Sequence, residues 1–129
     1  AQKPAFEELA DGSCTSAQSK LIEKHISGQI DALAEKDWEA AYSFASKDFQ
    51  AAVAIDQFTF IIGAQYAMLV ENQGYQFDGC VIAGGAIKQE VSVKSGEQIF
   101  SLTYRLSVTN ETLGVESAEV SKAESQPNV

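Results

Sequence analysis

Residues 100–108 read Phe100-Ser101-Leu102-Thr103-Tyr104-Arg105-Leu106-Ser107-Val108. Every second side chain, from Phe100 through Leu102, Tyr104 and Leu106 to Val108, is aliphatic or aromatic, and the intervening ones are polar or charged. Successive side chains of an extended chain point to opposite faces, so this stretch predicts a strand with one face on a core and the other in water. The same period continues outward. Ile87, Val91 and Val93, with Gln89 between them, predict a strand on one side, and Phe77 and Val81 an earlier one. Leu113 to Val120 predicts the last, with Leu113, Val115, Ala118 and Val120 facing inward. Gly84-Gly85, Ser95-Gly96 and Asn110-Glu111 separate these segments as tight turns. The second half of the chain is therefore expected to be a four-stranded antiparallel meander.

Before Tyr75 the period is that of a helix. Thr15 and Gln18 match a capping box, in which a hydroxyl and a side-chain amide satisfy the first free N–H groups of a helix. A long helix is expected from Ser16 to Glu35, with Ile22, Ile26, Ile30 and Leu33 as its apolar stripe. Asp37 is expected to cap a shorter helix from Trp38 to Ala45. Ser46-Lys47-Asp48-Phe49 reads as an exit turn and residues 50–55 as a short extended piece. Asp56 is expected to cap a third helix reaching Asn72, with Phe58, Ile61, Ile62, Tyr66 and Leu69 on its apolar face and Gly74 as its stop. Three helices followed by an antiparallel sheet define an α+β fold with helices on one face. The expected organisation is an N-terminal arm over 1–14, with Phe6 and Leu9 packed down, a single domain over 15–120, and a polar, frayed tail over 121–129.

Composition bounds the function. The 129 residues carry 18 acids against 9 bases, a net charge of −9, and Arg105 is the only arginine. Nucleic-acid binding requires clustered cations to replace phosphate counterions, so it is excluded as an expectation, and docking on an anionic membrane is disfavoured for the same reason. No apolar run approaches the roughly 18 residues of a membrane span. The chain begins Ala1-Gln2. Cleavage after a small-residue site leaves such a start, as does trimming of a longer chain; the first origin implies a periplasmic or secreted protein. Cys14 and Cys80 either form one disulfide, which ties the N-terminal segment to the sheet, or remain two buried thiols; export favours the disulfide. Two cysteines and the single His25 do not make a closed metal site. No cofactor motif is present, since Gly84-Gly85 lacks the helix and Lys-Ser/Thr pair of a phosphate loop.

The candidate chemistry is sparse. His25 sits on the edge of the first helix with no nucleophile motif beside it. A carboxylate acid or base needs a place inside the protein. Asp37 and Asp56 read as caps, Asp48 as a turn residue, and Glu90 and Asp78 as water-facing strand residues. Arg105, a lone cation, either binds the carboxylate of a ligand or partner or, as is expected, pairs with an acid on a neighbouring strand. Asn110-Glu111-Thr112 is a glycosylation sequon, relevant only in a eukaryotic secretory pathway. The aromatic residues Trp38, Tyr42, Phe49, Phe58, Tyr66 and Tyr104 either fill the core or line a ligand cavity, since Tyr and Trp combine apolar area with a polar tip.

The order of elements resembles the cone-shaped fold of nuclear transport factor 2 and its relatives, among them ketosteroid isomerase and scytalone dehydratase. A closer resemblance is to a bacterial family of that kind known as a domain of unknown function. Its patterns are carried here by Ile26, Gln29, Ile30 and Ala32; by Asp37, Trp38, Ala41, Tyr42, Ala45 and Ser46; by Phe58, Ile61, Ile62 and Tyr66; and by Gln89, Val91, Tyr104, Leu106, Gly114 and Val115. The Trp-Arg pair common before the closing Gly-Val in that family is replaced by Glu111-Thr112-Leu113. The resemblance implies a curved sheet wrapped around a mostly apolar cavity, and in some relatives subunit pairing through the outer sheet face. The resulting expectation is a non-catalytic, extracytoplasmic domain that binds a small apolar or amphipathic molecule or a protein partner. The alternatives are an isomerase or dehydratase using a cavity Tyr with a carboxylate, and a structural module that forms a homodimer.

Overall fold

Thr15 starts the longest helix as its residue type requires. Its Oγ1 accepts from the Gln18 N–H at 3.1 Å, and Gln18 Oε1 accepts from the Thr15 N–H at 2.9 Å. In the computed structural model, which describes residues 4–121, this helix is α1, Ser16–Ala34. Ile22, Ile26, Ile30 and Leu33 all have 0% exposure. Burying each such side chain contributes about 1.5–3 kcal/mol, so this one stripe is a large share of the force that holds the helix down.

The full order is β1 (Gly12–Ser13), α1, α2 (Trp38–Ser43), α3 (Lys47–Ala52), α4 (Ile55–Gln65), α5 (Ala67–Val70), β2 (Tyr75–Ala83), β3 (Ala86–Ser95), β4 (Gln98–Thr109) and β5 (Thr112–Val120). The strands form one antiparallel sheet in the order β1-β2-β3-β4-β5. Its inward residues, including Ile82, Ile87, Val91, Leu102 and Leu106, join the α1 stripe in one core. Two tight hairpins carry the backbone this meander needs. Gly84 and Gly85 have φ of 58° and 81°, and Asn110 and Glu111 have 52° and 65°, the left-handed pair that matches the strand twist.

The α+β class and the antiparallel meander match the sequence expectation, but the element count does not. The sheet has five strands rather than four, because Gly12–Ser13 in the segment read as an arm pairs antiparallel with Ile82 and Val81. Tertiary contact makes that strand; so short a segment has no readable period. Phe6 in the same segment is buried, and its N–H donates to Glu111 Oε1 at 3.1 Å. The polar tail from 122 on lies outside the described residues.

The helical half is also divided differently, into five helices rather than three. The expected helix Trp38–Ala45 ends at Ser43, and Ala45 instead bridges to Val115 of β5. α3 replaces the exit turn at 46–49 and most of the extended piece at 50–55, of which only Val53 and Ala54 are extended. Ser46 Oγ accepts from the Phe49 N–H at 3.0 Å and so caps it, which places Asp48 in a first helical turn. Asp56 does not cap α4. The cap is Ala54, with no side-chain bond, and Asp56 lies in the first turn, where a carboxylate still favours the helix dipole. The helix expected to reach Asn72 breaks at Tyr66, whose φ and ψ of −129° and 31° separate α4 from α5.

Two irregularities re-aim the strands. The β2–β3 register shifts between Phe77 and Cys80, so Ile82 faces the core and Val81 is 46% exposed. The β4–β5 register shifts between Arg105 and Leu106. Val115 is buried beyond it, but Val120, expected inward, is 38% exposed near the end of the sheet edge.

One contact locks the helices to β5. The Ser46 N–H donates to Val115 O at 3.0 Å, and the Val115 N–H to Phe44 O at 2.9 Å. The chains approach so closely that a Cβ on Gly114 would lie 2.5 Å from Ser46 Cα. Backbone atoms cannot give way as a side-chain tip can, so Gly114→Ala should lower stability by about 1–3 kcal/mol in urea unfolding. Gly63→Ala in α4, where an added Cβ meets nothing within 4 Å, should leave stability unchanged or raise it. Cys14 and Cys80 form a disulfide with Cα atoms 5.5 Å apart and a sequence separation of 66. The C14S/C80S double variant should lose up to about 4 kcal/mol in the same assay, the chain-entropy value for a loop of this length.

Candidate functional site

Between the helices and the sheet lies a cavity of about 150 Å³. Leu33 of α1, Phe58 and Ile62 of α4, and Leu69 of α5 form its apolar helical side. Tyr104 and Val115 face them from the sheet, and the bulged stretch Glu116, Ser117 and Ala118 completes the wall.

Tyr104 is the distinctive residue. It is 1% exposed, it lines the cavity, and its hydroxyl has no hydrogen-bond partner among the described residues. A buried polar group left unpaired costs free energy, which makes this hydroxyl a place where a partner atom is favoured. Burial pushes its phenol pKa far above the ordinary range, with the nearby phenols of Tyr66 and Tyr75 adding to the effect, so the group is a neutral donor at any physiological pH. Gln89 stands directly opposite on β3 and is fully buried. Its Nε2 donates to the carbonyls of Glu90, Asp78 and Gly79 around the β2 bulge, and its Oε1 likewise has no partner among the described residues.

Three other polar residues of the lining, Tyr66, Gln29 and Glu116, are hydrogen-bonded, and the fourth, Ser117, is exposed. Tyr66 donates its hydroxyl to Ala118 O and so ties the α4–α5 junction to β5. Burial raises its phenol pKa, and the charge of Glu119 adds to the rise. Gln29 Nε2 donates to Ala41 O at 3.1 Å. The Glu116 carboxylate accepts from Ser107 Oγ at 2.6 Å.

Of the six aromatic residues singled out from the sequence, Phe49, Phe58, Tyr66 and Tyr104 line this cavity. Trp38 and Tyr42 do not. The Tyr42 hydroxyl is directed at Val53 O (2.6 Å) and Gln50 O (3.0 Å), closing the loop between α3 and α4, and its ring packs edge-on against Phe58 with centroids 5.4 Å apart. Trp38 is half-buried against the core. Gln29, Leu33, Leu69 and the 116–118 stretch are lining residues not read from the sequence as such. For the last, the change of inward parity from Leu113 and Val115 to Ala118 was the available signal.

Asp78 is exposed and accepts from Ser92 Oγ at 2.6 Å. Arg105 lies exposed on the outer sheet face beside Lys88, Ser117 and Glu119, and among the described residues it forms no ion pair with a neighbouring acid. Among the described residues no group of three or more His, Cys, Asp or Glu can hold a metal ion, and no helix is long and apolar enough to cross a membrane.

An α+β domain with an apolar cavity between its layers is thus the class that the fold and site define. The chain belongs to the family described as "Domain of unknown function (DUF4864)", whose model matches residues 15–127. No curated protein and no solved structure matches it.

His25 lies apart from the cavity, half-buried against Phe44. A carbonyl can only accept, so the imidazole Nε2–H donates to Phe44 O, at 2.8 Å. Desolvation lowers its pKa below the ordinary 6.5, and the Phe44 bond offsets part of the shift. The unfolded chain therefore takes up the proton first as pH falls. The stability that His25 contributes is complete above its unfolded pKa and is lost as pH drops through the window between the unfolded and folded values. Urea midpoints measured on either side of 6.5 should show this loss, and His25→Gln, which keeps a donor for Phe44 O, should remove that component.

Proposed function

We propose that this chain is a non-catalytic, extracytoplasmic binding domain of the cone-shaped type, related to nuclear transport factor 2, which takes a small apolar or amphipathic molecule into the cavity beneath α4. The observation that carries this reading is the Tyr104 hydroxyl: fully buried, unpartnered among the described residues, and set in the wall of an otherwise apolar space. Such sites combine apolar walls with a few convergent polar groups. The Cys14–Cys80 disulfide supports an oxidising compartment.

The isomerase or dehydratase alternative needs a carboxylate within hydrogen-bond reach of a cavity phenol. Among the described residues Tyr42 and Tyr66 meet backbone carbonyls and Tyr104 meets nothing. A protein partner has one observation in its favour, Phe60 on α4 at 75% exposure.

Native mass spectrometry of the purified chain should show a peak with a small added mass that leaves on denaturation. Ala118→Phe, which fills the cavity wall beside Tyr66, should purify without it. A wild-type chain free of added mass, with no thermal shift across a library of small apolar compounds, would sink the binding reading.

A further inference from the structure

The lining of the cavity restricts what can occupy it. Its volume of about 150 Å³ is that of a space for a single ring, not for a steroid or an acyl chain. Leu33, Phe58, Ile62 and Leu69 offer only apolar surface. No Lys, Arg or His is among the lining residues, and the one acid, Glu116, has its carboxylate on Ser107. An anionic head would therefore be buried with no counter-charge, which is prohibitive for a group removed from water. A wholly apolar guest would leave the Tyr104 hydroxyl unpaired, since no described residue reaches it. Tyr66 and Gln29 do not compete for the head group, since their donors already serve Ala118 O and Ala41 O.

Resting on the binding reading above, we propose that the cavity selects a neutral, single-ring molecule carrying one oxygen function, hydroxyl or carbonyl, that hydrogen-bonds Tyr104 Oη. The ring lies among Phe58, Ile62 and Leu69, and the oxygen faces the sheet. Selectivity in this arrangement comes from one buried hydroxyl, which a guest oxygen pairs and an apolar guest leaves without a partner.

The test is a set of amide NMR titrations of the full chain, at neutral pH, with toluene, phenol and benzoate as probes, in wild type and Tyr104→Phe. Removing an unpartnered buried hydroxyl does not unfold a protein, so the variant is usable. Toluene and phenol should both shift resonances of the cavity residues, and benzoate should not. In Tyr104→Phe the ratio of phenol to toluene affinity should fall roughly threefold to tenfold, the value of one neutral hydrogen bond, with toluene binding as well as before or better. An unchanged ratio, or benzoate binding in the cavity as well as phenol, would overturn the ligand class while leaving the cavity reading intact. If neither toluene nor phenol shifts the cavity residues, the cavity reading falls and the ligand class falls with it.

Discussion

Ile22, Ile26, Ile30 and Leu33 stand one above another on a single helix face and have no exposure to water. That stripe cannot be buried by α1 alone, and the inward face of the meander is the surface that covers it. The short helices α2 to α5 then have limited places to go. Alone they are too short to be stable, so packing decides where they form. Their positions follow from α1 and from the bond pair between Ser46 and Val115, which fixes the helical layer to β5 with only a glycine's width between them.

The cavity is a consequence of that layering. Helices laid on a sheet leave space where the layers diverge, and here the space is bounded by α4, α5 and the bulged stretch of β5. The bulge re-aims residues 116–118 into the wall, and Tyr66 holds the α4–α5 junction against it by its bond to Ala118. Tyr104 reaches the same space from β4 with its hydroxyl unmatched. An interior that is otherwise close to fully satisfied keeps such a group only at some cost in stability, and a ligand-binding role is a physical reason to keep it.

Much of the fold was readable in advance. The capping box at Thr15 and Gln18, the Asp37 cap, the α1 stripe and the alternation through Phe100–Val108 each rest on local geometry that a sequence carries directly. The misreadings share one cause. Lys47–Ala52 is helical because Ser46 caps it while bonded to β5, and β1 exists because a disulfide and β2 hold it. Neither has a period of its own long enough to read. The same holds for the site: aromatic residues were visible as candidates, but Tyr66 lines the cavity while Tyr42 closes the loop between α3 and α4, and only the packing of their helices separates the two.

The sequence by itself determined the class of fold, the core stripe of α1, the inward face of β4 and the lack of any cation cluster for nucleic acid, because periodicity and charge are properties of the chain. Tertiary structure alone decided the fifth strand, the breaks in the helical half, the exposure of Val81 and the unpartnered hydroxyl of Tyr104. Those depend on which distant groups meet, and a hydrogen bond that is not made leaves no mark on the residues around it.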